Sequence, residues 1–233
     1  MATLNEIAYD ILTIMRPQLS DDTEIELSQI KFWIKNQRSL LIRNEINKSR
    51  TIDADLLQTV CADVECVDSS VCCDIDLCCP IIRTKKKIPK TIELHFKEAI
   101  TRVGPVGLKG KPFSYINHTA VPWVGNGRFN KNMIYAFIHD DYLYVYSKDT
   151  KYLALKTISF RGIFEDPEEI KSYKDCTTKE PCYSDNDAYP IKTWMLPQIK
   201  NMIIEGNLQL QAQAEFQQAD VDNNAASDVQ QIK

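Results

Sequence analysis

Three observations predict an α+β fold for this 233-residue chain. Apolar residues recur at helical spacing through the first 50 positions, alternate with polar ones across the middle, and return to helical spacing after Pro190. The expected layout is an N-terminal helical hairpin, a central small antiparallel β-sheet with long loops, a C-terminal helix and a flexible tail. The segments run 1–50, 51–165, 166–218 and 219–233, together making one structural unit.

The first helix opens on a capping box. In Thr3-Leu4-Asn5-Glu6 the hydroxyl and the carboxylate each satisfy a free backbone donor. Leu4, Ile7, Ala8, Ile11, Leu12 and Met15 form its apolar stripe, and Pro17 ends it by pushing the preceding residue out of the helical region. A second box at Thr23 and Glu26 starts a helix of about six turns, on the stripe Leu27, Ile30, Trp33, Ile34, Gln37, Leu40 and Leu41. The polar run Asn44 to Arg50 closes it.

In the middle, Ile92, Leu94 and Phe96 alternate with Glu93, His95 and Lys97, the pattern of a half-buried strand. A hairpin spans Met133 to Ser147, with β-rich arms on either side of His139-Asp140-Asp141. Tyr152 to Leu155 and Thr157 to Phe160 continue as another strand. Between them, 103–131 is cut by Gly104-Pro105, Lys111-Pro112, Val121-Pro122 and Gly125-Asn126-Gly127, which predicts mostly loop. A loop so long is usually a working surface or a flexible one. The last helix covers Pro190 to Phe216, is regular from Pro197 and is weakened at Gly206. Beyond Ala219 the polar tail is expected to be mobile when alone.

Composition narrows the function. The chain carries 28 basic and 32 acidic residues, a net charge of −4, so it has no general nucleic-acid-binding balance. No apolar run is long enough to span a membrane, and the start lacks the layout of a signal peptide. These features point to a soluble protein made in a reducing cytosol. Seven glycines are few for a fold that cradles phosphates. The segment Gly104 to Lys111 fails as a phosphate loop, because Pro105 and Pro112 occupy positions that need glycine and a hydroxyl.

Charge is blocked along the chain. Asp53, Asp55, Asp63, Glu65, Asp68, Asp74 and Asp76 fall in 51–82 without a single Lys or Arg, and Arg83, Lys85, Lys86, Lys87 and Lys90 follow at once. Opposed patches of this kind can hold a neighbouring subunit in register, or form two solvated faces or a local strand pair. Lys31, Lys35 and Arg38 fall on one side of the second helix. That stripe is a solvated face, or a surface that meets a channel or a neighbour.

Six of the eight cysteines, Cys61, Cys66, Cys72, Cys73, Cys78 and Cys79, crowd into nineteen residues. Four soft ligands can close a zinc site, but no Cys-x-x-Cys occurs, and adjacent pairs on a strand point to opposite faces. Free thiols in short strands are the leading reading, with late oxidation to disulfides a lesser one. Cys176 and Cys182 lie far downstream. His95, His118 and His139 stand apart in sequence, and no Gly-x-Ser-x-Gly elbow is present. No catalytic residue, cofactor or metal is expected.

The order of elements resembles a known family. The opening Asn5-Glu6-Ile7-Ala8-Tyr9-Asp10-Ile11, the helix phrase Gln29-Ile30-Lys31-Phe32-Trp33-Ile34, the run Phe160-Arg161-Gly162-Ile163-Phe164-Glu165-Asp166-Pro167, and Tyr189-Pro190-Ile191 before the last helix carry the likeness. They resemble head-to-tail connectors of tailed phages, most closely the ring proteins of crAss-like podoviruses, and the layout is similar to tail tubular, gatekeeper-type adaptors. The resemblance implies a non-enzymatic virion protein, assembled in the host cytoplasm, that forms a twelve-fold ring with its own copies below the portal. It implies further neck and tail proteins as partners, no membrane, and packaged DNA passing through without sequence-specific binding. The acidic 51–82 and basic 83–90 blocks would supply its lateral faces. The alternative is a small zinc- or nucleic-acid-binding regulatory module built on Cys61–Cys79, and an enzyme with a thiol nucleophile ranks behind both.

Overall fold

The computed structural model describes residues 2–18, 25–49, 51–67, 81–95, 99–107, 110–176, 178 and 180–206. The cap at Thr23, Phe96, the cysteines Cys72, Cys73, Cys78 and Cys79, and the tail after Ala219 lie outside the described residues. The fold is α+β. Two compact units divide the chain, one of Met1–Leu41 with Ile191–Lys233, the other of Ile42–Pro190.

The first unit holds α1 (Leu4–Met15), most of α2 (Leu27–Ser49) and α3, described over 195–206. Both arms of the expected capping box form: Glu6 N–H donates to Thr3 Oγ1 and Thr3 N–H to Glu6 Oε2. Leu4, Ile7, Ala8, Ile11 and Met15 are buried as the periodicity requires. α3 begins at Met195, so Pro197 sits in its first turn, where a missing N–H costs nothing. Lys200 of α3 pairs with Asp10 of α1.

On α2 the buried row is Ile30, Ile34, Arg38 and Leu41, while Leu40 is exposed. Arg38 is three residues from Lys35 but also four from Ile34. The helix places it with the second, and its side chain is fully buried, whereas Lys31 and Lys35 are half-buried. The three cations do not share one solvated face.

The second unit is built on a seven-stranded sheet with strands β1 (Gln58–Val67), β2 (Ile81–Thr84), β3 (Ile100–Pro105), β4 (Ser114–Tyr115), β5 (Tyr135–His139), β6 (Tyr142–Tyr146) and β7 (Thr157–Gly162). Their order is β3-β7-β1-β2-β6-β5-β4. The β5–β6 hairpin forms with a two-residue turn. Asp140 and Asp141 both take left-handed φ (49° and 65°), which suits the twist of the arms and which aspartate tolerates.

The sheet is not wholly antiparallel, since β4 pairs parallel with β5. Phe113, just before β4, donates its N–H to Val103 of β3 at 2.7 Å, so the two edges of the sheet approach each other. β1 changes partner along its length, pairing with β7 through Gln58–Asp63 and with β2 through Val64–Val67. Phe137, Leu143, Val145, Ile158, Phe160 and Phe164 are completely buried in this unit.

One expected strand is shortened, and another makes no ladder among the described residues. Thr150–Ala154 is a 3-10 turn that packs Tyr152 inward, and only Thr157 onward joins the sheet. Residues 91–95 make a single bridge, Thr91 to Phe164, and no ladder. Ile92 still buries its side chain and donates its N–H to Ile163, so the alternation tracked burial without a strand partner.

Candidate interaction surface

The charged blocks meet at one pair where β1 runs beside β2. Glu65 and Arg83 are register partners across that pair, and Arg83 Nε reaches Glu65 Oε1 at 3.0 Å. The Arg83 guanidinium also lies 4.7 Å from the centre of the Tyr142 ring, a cation–π distance. Lys87 pairs with Asp141 at 3.1 Å and Lys90 with Glu165 at 2.9 Å. Each carboxylate holds its lysine above the ordinary ammonium value. Lys86 Nζ donates to the carbonyl of Ser172. The basic block therefore tethers its own chain, to β1, to the hairpin turn and to the stretch after β7. Of the acidic block, Asp63 is exposed and accepts from Thr157 Oγ1 at 3.2 Å, while Asp68, Asp74 and Asp76 lie outside the described residues.

Where β1 leaves β7 for β2 an open groove of about 590 Å³ appears. Its walls include Asp63, Lys85, Thr157, Tyr173, Lys174 and Asp175. Cys61, also in its lining, is joined to Cys176 by a disulfide with Cα atoms 5.4 Å apart. The free-thiol reading is corrected for Cys61. β1 buries it, and an isolated bridge from Cys61 to Lys174 sets Cys176 two residues along, within bonding reach. Cys66 remains a free, exposed thiol.

Cys182 is also free, and burial pushes its thiol up, helped by Asp175 and opposed by a hydrogen bond from the Cys61 backbone. A raised thiol is a poor nucleophile at neutral pH. Among the described residues no group of three His, Cys, Asp or Glu side chains can hold a metal ion. His118 and His139, apart in sequence, meet with ring centres 5.5 Å apart beside Tyr144, while His95 is exposed elsewhere.

Two tyrosines lock the segment after β7. Tyr173 donates its hydroxyl to the carbonyl of Lys87, and its phenol is pushed up to about 12 by burial and by Glu169. Burial and Glu168 push Tyr183 up to about 12 as well. Above pH ~10 an unfolded chain gives up these protons while the folded one keeps them, so stability falls between pH ~10 and ~12. In an alkaline absorbance titration, Tyr173 and Tyr183 should ionise late; ionisation of both near pH ~10 in the native protein would contradict this burial.

Sequence reasoning marked 103–131 as a working surface or a flexible loop but missed the exposed aromatics of 121–133. Trp123 is 81% exposed and Phe129 89%, although both side chains are among the most apolar in the chain. Loop character was legible in the Pro/Gly punctuation, but the outward aim of the aromatics was not.

Among the described residues no helix is long and apolar enough to cross a membrane. Residues 6–229 match the family model described as phage tail ring protein 2. The chain is also 27% identical to Ring protein 2 of Bacteroides phage crAss001, over 97% of this chain and 98% of that one.

Proposed function

The chain belongs to the phage tail ring protein 2 family, and we propose that it is a neck ring subunit that docks below the portal and extends the DNA channel towards the tail. Family membership makes it a structural, self-associating component of the virion. The observation that carries the reading is the match of residues 6–229, which takes in both compact units rather than one. A relative of nearly equal length that bears the name Ring protein 2 supports it.

Twelve copies form the proposed ring, assembled in the host cytoplasm. DNA passes through it without sequence-specific contacts, in keeping with a chain of net charge −4. A ring subunit works by lateral, head-to-tail contacts that close on themselves. The interface we propose includes the exposed acids at the start of the sheet, Asp63 among them. Asp68, Asp74 and Asp76, outside the described residues, belong to the same proposal, as does a neighbour-facing or channel-facing role for Lys31 and Lys35. A zinc module on the cysteine cluster draws no support from Cys61, which is committed to Cys176.

Coexpression with the portal protein, followed by electron microscopy, should show rings of twelve stacked on the portal. Persistent absence of binding would overturn the docking role, and rings of another copy number would overturn the twelve-fold symmetry.

A further inference from the structure

We propose that the segment Val121 to Met133 is the element by which one copy of this chain docks on the next, and that the acidic start of the sheet, Asp53 to Asp63, receives it. The proposal rests on the ring reading and adds to it which surfaces meet.

Trp123, Phe129 and Met133 are 81%, 89% and 46% exposed, three large apolar side chains within eleven residues. Aromatic anchors of this kind dominate the energetics of interfaces. They stand on a built segment. Val121 is buried in the cluster of Ile81, Tyr135, Phe137 and Tyr144, and Val124 packs against it. Gly125 is buried at φ +77°, a conformation that a side chain would strain.

The rest is held turn by turn. Asn130 N–H donates to Gly127 O, Met133 N–H to Asn130 O, and Ser147 Oγ–H to Met133 O at 2.9 Å. Anchors presented in this way need little ordering on contact, which is where much of the cost of association lies.

Charge selects the partner. Residues 99–139 hold Arg102, Lys109, Lys111, Arg128 and Lys131, and none of the chain's 32 acids falls among them. Lys148 adds a cation beside the loop, bonded to Asn126. The remainder of the chain is therefore more acidic than its net charge of −4 conveys. A second copy thus offers the complementary surface. Asp53, Asp55 and Asp63 are exposed at and just before β1, which β2 and β6 separate from β5 in the sheet. Two different, complementary patches on one chain make a head-to-tail contact, the kind that closes a ring.

The test measures self-association of the full chain by sedimentation, with portal present where the free chain stays monomeric. W123A/F129A, folded as judged by circular dichroism, should associate at least tenfold more weakly. R128E/K131E should do the same, and raised salt should weaken the wild type.

The sharpest arm mixes W123A/F129A with D53K/D55K. Each retains one good face, so the mixture should form heterodimers and nothing larger, while each alone stays monomeric. Wild-type-like association of W123A/F129A overturns the proposal. So does a variant that rings normally but fails to join the adjoining tail protein, or one whose only defect is loss of binding to duplex DNA. If the wild type itself never associates, with or without portal, the ring reading fails first, and the two failures are told apart.

Discussion

Substituting Cys176→Ser should destabilise the sheet unit by about 4 kcal/mol under oxidising conditions and by far less in the presence of a reductant. The bridge to Cys61 spans 115 residues, so in the unfolded chain it closes a very long loop. The entropy it removes grows with the logarithm of loop length, which puts it near the upper end of the usual ~2–5 kcal/mol. Cys61 is buried in the middle of the sheet, but Cys176 is partly exposed, so a serine hydroxyl there keeps its water and adds no burial penalty of its own.

Urea unfolding followed by circular dichroism, with and without reductant, measures the effect. Equal midpoints for wild type and variant under oxidising conditions would mean that the bridge contributes nothing. The bond ties β1 to the segment after β7. Both cysteines line the groove near the point where β1 changes partner.

What the sequence disclosed and what it hid divide along the distance between interacting residues. The α1 cap needed only Thr3 and Glu6, and the β5–β6 hairpin only its β-rich arms and two aspartates; local chemistry decides both. The Cys61–Cys176 bridge and the meeting of His118 with His139 depend on the path of the whole sheet, which no spacing rule encodes. The alternation begun at Ile92 made no ladder over the described residues 92–95 for a related reason. It reports one buried face, and only a neighbouring strand would have turned that into a ladder. Arg38 shows the limit within one helix, since three- and four-residue steps gave it two faces and the core took it. The charged blocks were plain in sequence, but pairings such as Lys90 with Glu165 are products of the fold.

Replacing Phe160 with alanine should cost about 3–5 kcal/mol, the range for removing a fully buried ring, and should abolish ring assembly through loss of the folded sheet rather than of any contact between copies. The run Phe160-Arg161-Gly162-Ile163-Phe164, which carried part of the family likeness, is a packing device. Phe160 and Phe164 are both completely buried and meet edge to face, with ring centres 6.1 Å apart.

Gly162 lies between them, where a Cβ would come within 3.0 Å of the Ala99 carbonyl oxygen and 3.3 Å of Ile100 Cα. That spacing lets β3 close on β7. Arg161 points the other way and donates to the carbonyl of Ala54, fastening the entry to β1. A double-mutant cycle on Phe160→Ala and Phe164→Ala, read by urea unfolding, should therefore show coupling of about 0.5–1.5 kcal/mol. Additive losses would mean that the two rings pack independently and that Gly162 alone sets the approach of β3. A loss below ~1 kcal/mol for Phe160→Ala would contradict its place in the core.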